Sequence, residues 1–276
     1  MRALAALVSM LALAGCASSD EEFSFEPRSY VASFYPLAWA TEQVAGDPTR
    51  AEIVNLTPPG AEPHDIELSP SDVEKIRDAE LVVYLGGGFQ PALEDAIDSR
   101  QGRSLDLLRE AEDPHIWLDP IRFAHAVERI AGAVGGAGSV HDEIRELKQL
   151  DAEYRRGLAD CERRVLVTTH AAFGQLAARY GLTQLSLAGR SPESEPAPRE
   201  LEQLIDQVRA SGATTVFAEP LISDGLARAV AREADIGVAT LDPIEGLSED
   251  RLAAGEDYVT VMRANLDALR EALGCR

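Results

Sequence analysis

Three histidines and an aspartate stand where the chain could offer them to one metal ion: His64, His115, His170 and Asp242. Three imidazoles and a carboxylate form a four-ligand set suited to Zn²⁺. His115 lies within Asp113-Pro114-His115-Ile116-Trp117-Leu118-Asp119-Pro120, between two Asp-Pro steps. Each proline fixes its own φ and bars the residue before it from helix, so the imidazole projects from a stiff loop. A metal ligand needs such placement; the competing reading is a histidine packed beside Trp117, itself read as a packing residue. Glu62, two residues before His64, is a weaker candidate ligand. Glu219 is read as supporting the site or closing the lobes rather than ligating. Asp113 and Asp119 would cap the loop or orient His115, since ligating histidines give their second N–H to an oxygen. His125 and His141 fall within helical patterns and are read as ordinary helix residues.

Strands must present these groups. Apolar runs at Tyr30–Phe34, Ala51–Leu56 and Leu81–Leu85 alternate with helical stretches opened by Pro36, Pro70 and Pro91. The same grammar returns from Arg164, with strands to Thr168, at Thr183–Leu187, Thr215–Ala218 and Gly237–Leu241, and a closing helix Tyr258–Leu273. Strands alternating with helices predict an α/β protein: two lobes, each a parallel sheet flanked by helices, with the site in the cleft between them. His64, His170 and Asp242 follow strands, where ligands sit in open α/β sheets. The expected division is 1–16 signal peptide, 17–29 tether, 30–120 N-terminal lobe, 121–161 helical connector and 162–276 C-terminal lobe. Gly86-Gly87-Gly88 lacks the Lys-Ser/Thr ending of a phosphate loop and is read as a turn.

Lysine and arginine number 26 against 47 acidic residues, a net charge of −21. That balance excludes nucleic acid as the expected partner, because phosphate binding needs clustered bases. Ala3–Ala14 is an apolar run too short for a mature membrane span. Leu13-Ala14-Gly15-Cys16 resembles a bacterial lipobox, predicting lipidation of Cys16 and a membrane anchor. Cys161 and Cys275 remain, and an exported chain meets an oxidising compartment, so these two are expected to pair.

Val31-Ala32-Ser33-Phe34-Tyr35-Pro36, Pro63-His64-Asp65, the His115 loop, Thr169-His170-Ala171-Ala172-Phe173 and Leu241-Asp242-Pro243-Ile244-Glu245-Gly246-Leu247 occur in that order. In these motifs the chain resembles the zinc/manganese solute-binding proteins of bacterial metal ABC importers. The resemblance implies two α/β lobes joined by one long helix, and ligands at His64, His115, His170 and Asp242. It implies a lipoprotein outside the membrane that hands Zn²⁺, or alternatively Mn²⁺, to a permease, working as a monomer and not as an enzyme. In that family an imidazole at the His170 position goes with zinc and a carboxylate with manganese. Two departures stand out: no histidine lies between Asp65 and Pro114, where many zinc members carry a His-rich loop, and Gly132–Gly138 interrupts the connector. A surface adhesin and a zinc-dependent hydrolase are the competing functions; no His-Glu-x-x-His motif supports the latter.

Overall fold

A computed structural model of the chain describes residues 27–108, 113–135, 140–190 and 196–276. Cys16 and most of the tether lie outside the described residues. The first half runs β1 (Arg28–Ala32), α1 (Tyr35–Ala45), β2 (Ala51–Asn55), α2 (Pro70–Asp78), β3 (Leu81–Tyr84), α3 (Pro91–Asp98) and β4 (Arg103–Asp106). A 3-10 turn, Ile116–Leu118, leads into α4 (Pro120–Val134) and α5 (His141–Gly157). The second half runs β5 (Val165–Thr168), α6 (Gly174–Tyr180), β6 (Thr183–Ser186), α7 (Pro198–Ser211), β7 (Thr215–Ala218), α8 (Gly225–Ala234), β8 (Gly237–Thr240), α9 (Glu249–Ala253) and α10 (Tyr258–Leu273).

The two halves repeat one topology. Every strand pairing is parallel, in the orders β2-β1-β3-β4 and β6-β5-β7-β8. Val31 pairs with Val54 and Val82, and Val167 with Val216. A strand covered on both faces reads as a continuous apolar run, which Tyr30-Val31-Ala32 and Leu81-Val82-Val83 satisfy, all fully buried. In each sheet the first strand is internal and the winding reverses beside it, leaving a crevice at the carboxyl ends.

Helix starts follow their caps. Ser69 and Asp72 form a capping box on α2, and Asp257 with Thr260 one on α10. Asp119 Oδ1 accepts from the Ile121 and Arg122 N–H groups and so starts α4. Edge strand β4 and short helix α9 went unread in the sequence: Arg103-Ser104-Leu105-Asp106 is too polar to read as a strand. Helix α6 begins only at Gly174, because the Ala171 N–H donates to Gly189 O instead of opening a helix directly after His170.

The single linking helix implied by the family resemblance is replaced by two helices. Gly135 ends α4 in the left-handed region at φ 68°, and α4 then packs beside α5 and against α1, while α5 packs on α10. One apolar core therefore continues from Tyr30 through Trp117, Phe123 and Tyr154 to Leu269. Tyr258 of α10 reaches across to Phe123 and Trp39, with ring centroids 4.6 and 5.0 Å away. The Cys161–Cys275 disulfide ties the end of α10 to the segment after α5.

Candidate metal centre

His64 lies in the loop after β2, His115 in the stiff loop beyond β4, His170 two residues after β5, and Glu245 in the loop after β8. Their ligating atoms all lie within 4.8 Å of one another. Glu245 Oε1 is 3.4 Å from His64 Nε2, 3.3 Å from His115 Nε2 and 3.4 Å from His170 Nε2. A tetrahedral zinc with bonds of about 2.0–2.1 Å has ligand-to-ligand edges of about 3.3–3.4 Å. One carboxylate oxygen thus stands at a tetrahedron-edge distance from three ring nitrogens at once. Such distances are long for charge-assisted hydrogen bonds, which run about 2.7–2.9 Å.

The centre is sealed. His115 and His170 are 0% exposed, Glu245 2% and His64 8%. His115 Nδ1 lies 2.7 Å from Asp113 Oδ1, which also accepts from the His115 backbone N–H. His170 Nδ1 lies 2.6 Å from Glu219 Oε2. Glu219 in turn accepts from Thr169 Oγ1 and, at 3.1 Å, from the His170 N–H. These carboxylates fix both rings with Nε2 inward and keep the inner nitrogens basic. Glu62 Oε2 accepts from the His64 N–H at 3.0 Å, and its other oxygen is 3.7 Å from His64 Nε2. Asp119 caps α4 and meets Arg179 at 3.1 Å, so it supports the His115 loop from behind.

Charge explains why these groups tolerate burial. Burial opposes a proton on His170, but Glu219 and Glu245 outweigh it and push the ring up to about 10. Burial likewise opposes charge on His115, and Asp113 and Glu245 still raise it. Burial would raise Glu245, yet His115, His170 and His64 hold it well below the usual carboxylate range. Without a metal, positive charge on the rings balances the buried Glu245 carboxylate.

Asp242, the expected carboxylate of the set, is not in this group; Glu245 takes that place. Asp242 Oδ1 accepts from the Ile244 N–H at 2.7 Å, and Oδ2 from Arg251 Nη1 at 2.6 Å. Its main chain is held on both sides by Asn265, which accepts from the Asp242 N–H at 2.9 Å and donates to Asp242 O at 2.7 Å. The misplacement had a readable cause. An Asp before proline folds back on the N–H two residues on, and Asp47, Asp113 and Asp119 do the same with Thr49, His115 and Ile121. An Asp so engaged is a turn acceptor, leaving Glu245, three residues on, free to face the cleft.

Two contacts close the cleft over the centre. The Gly60 N–H donates to Leu247 O at 3.0 Å, joining the loops that carry His64 and Glu245. Gly60 makes this approach at φ +77°, a backbone shape other residues rarely take. On the far side Trp117 Nε1 donates to Pro243 O at 2.6 Å.

Residues 31–272 match the ZnuA family, described as zinc-uptake complex component A, periplasmic. The chain belongs to that family. Among similar members, the zinc-binding lipoprotein AdcA of Streptococcus pneumoniae strain R6 is 33% identical over 300 residues, covering 96% of this chain and 60% of that one. This chain therefore spans less than two thirds of that relative's length. The Zn(II)-bound ZnuA-like domain of S. pneumoniae AdcA superposes with a TM-score of 0.75 at 32% identity, covering 90% of this chain and 99% of that domain. The laminin-binding protein Lmb of Streptococcus agalactiae, described as a bifunctional adhesin and metal transporter, superposes with a TM-score of 0.78 at 31% identity, covering 89% and 99%. ZnuA membership agrees with the fold described above, two four-stranded parallel sheets with strands leading into one cleft.

Proposed function

We propose that this ZnuA-family chain is an extracytoplasmic lipoprotein that captures Zn²⁺ through His64, His115, His170 and Glu245 and delivers it to the membrane permease of an ABC importer. The observation that carries the reading is the position of Glu245 Oε1, at 3.3–3.4 Å from three inward Nε2 atoms. Four protein ligands close a tetrahedral site, where a catalytic zinc keeps a position open for water. Glu219, which a hydrolase could use as a base, faces the outer nitrogen of His170 and supports a ring instead. The name of the AdcA lipoprotein supports the lipid anchor expected at Cys16. Three nitrogen ligands favour zinc over manganese, which prefers oxygen and six-fold coordination.

Delivery requires the seal to break. With His115 and His170 fully buried, zinc enters or leaves only if the loops around the centre separate, and the Gly60–Leu247 hydrogen bond joins two of them. Native mass spectrometry of protein purified without added metal tests the proposal. One zinc per chain, displaced by a strong chelator, is the expected result; protein that takes up no zinc on titration refutes it.

A further inference from the structure

The loop that presents Glu245 contains the one strained residue near the centre. Among the described residues, only Asp235 and Ile244 have positive φ without being glycine, and Ile244 sits at 58° with its side chain fully buried. A β-branched residue in that region crowds its own backbone and persists only where its surroundings impose the shape. The other three Asp-Pro-X turns of the chain place no strain on X: Thr49, His115 and Ile121 all keep negative φ. The left-handed turn at Ile244 is therefore particular to this loop and immediately precedes Glu245.

Asp242 holds the N–H of this turn from a fixed position. Its Oδ1 accepts from the Ile244 N–H at 2.7 Å, and its Oδ2 is held at 2.6 Å by Arg251. Arg251 lies in α9, which Ser248 caps, and its guanidinium is anchored a second time by Glu256, 2.8 Å away. Asn265 of α10 clamps the backbone of Asp242 from both sides. Asp242 is thus fixed to two helices, its carboxylate to α9 and its main chain to α10.

We infer that Asp242, held by Arg251, is a positioning residue for the metal site: it pins the Ile244 N–H, and with it the loop in which Ile244 takes its left-handed turn, and so aims the Glu245 carboxylate at the three histidines. This rests on the zinc-site reading. Strain held at Ile244 sets Glu245 in place before the metal arrives, so the fourth ligand does not have to be found from a mobile loop on each binding event.

The test is zinc affinity by chelator competition, together with the visible spectrum of the Co²⁺-substituted protein, whose band intensity reports tetrahedral coordination. Asp242→Ala should weaken zinc binding about 10- to 100-fold, as loss of an orienting group behind a ligand does, and should dim the Co²⁺ band. Asp242→Asn keeps the acceptor for the Ile244 N–H but loses the oxygen that Arg251 holds, and should fall between the wild type and Asp242→Ala in both affinity and band. Ile244→Gly, added to Asp242→Ala, frees the backbone to take the turn unaided and should recover affinity, which a general loss of stability would not predict. If Asp242→Ala does not fold, Arg251→Met, at the partly exposed end of the pair, decides the question through the same two readouts. Wild-type protein that binds no zinc refutes the site itself. Wild-type binding with unchanged affinity and spectrum in Asp242→Ala, or in Arg251→Met where that variant stands in, overturns the positioning role alone.

Discussion

Trp117 and Pro243, 126 residues apart, are joined by a buried hydrogen bond of 2.6 Å from the indole Nε1 to the carbonyl. It ties the loop of His115 to the loop of Glu245. Tyr258 O–H donates to Trp117 O at 2.5 Å and fastens the same loop to α10. Trp117→Phe keeps a ring but leaves the Pro243 carbonyl buried without its donor, which costs about 1–3 kcal/mol. Urea unfolding of the metal-free protein should show that loss, and zinc titration a weaker complex. Unchanged stability and affinity would mean the bond contributes packing only.

Proton release should accompany zinc binding. The metal-free centre holds His170 up to about 10, so near neutral pH this ring must shed a proton to ligate, and the carboxylates around His115 shift it in the same direction. Calorimetric titrations in buffers of different ionisation enthalpy should show net release of at least about one proton per zinc, with affinity falling as pH falls. A heat independent of buffer would contradict the charge arrangement.

Stability should follow the same groups. His170 has a folded value above the ordinary one of about 6.5, so its contribution to the metal-free protein is complete below about 6.5 and is lost as pH rises towards about 10. Glu245 is depressed, so its contribution is present above the ordinary carboxylate value and lost as pH falls through its own. Zinc-loaded protein has already deprotonated His170 and should not show the alkaline loss. Thermal melts across pH, with and without zinc, measure the difference; parallel curves would refute it.

The disulfide joins cysteines 114 positions apart in the sequence. The chain-entropy model gives the enclosed loop about 4–5 kcal/mol of stabilisation. Reduction should lower the melting temperature while leaving zinc stoichiometry unchanged, because Cys161 and Cys275 lie at the far end of α10 from the centre. Loss of zinc binding on reduction of still-folded protein would contradict that separation.

Much of this was legible in the sequence, for particular reasons. The three histidines follow strand ends or sit between prolines, and those signals are local. Helix α10 and strand β7 could be read to the residue from apolar periodicity and their flanking residues. The carboxylate that joins the three histidines was not, because Asp242 and Glu245 share one loop and only the Arg251 and Asn265 contacts, 9 and 23 residues from Asp242, show which carboxylate is already engaged. The pairing of α4 with α5 escaped for a similar reason: Gly135 marks a stop, but what α4 packs against is decided by α1, far away in sequence.

The central claim is that His64, His115, His170 and Glu245 form one zinc-selective site, and competitive titration of chelator-stripped protein with Zn²⁺ and Mn²⁺ tests it most directly. The wild type should bind one zinc far more tightly than manganese; His115→Ala should lose most zinc affinity, and His170→Glu should narrow the preference by trading an imidazole for an oxygen ligand. Manganese binding as tight as zinc in the wild type, or undiminished zinc binding in His115→Ala, would contradict the account.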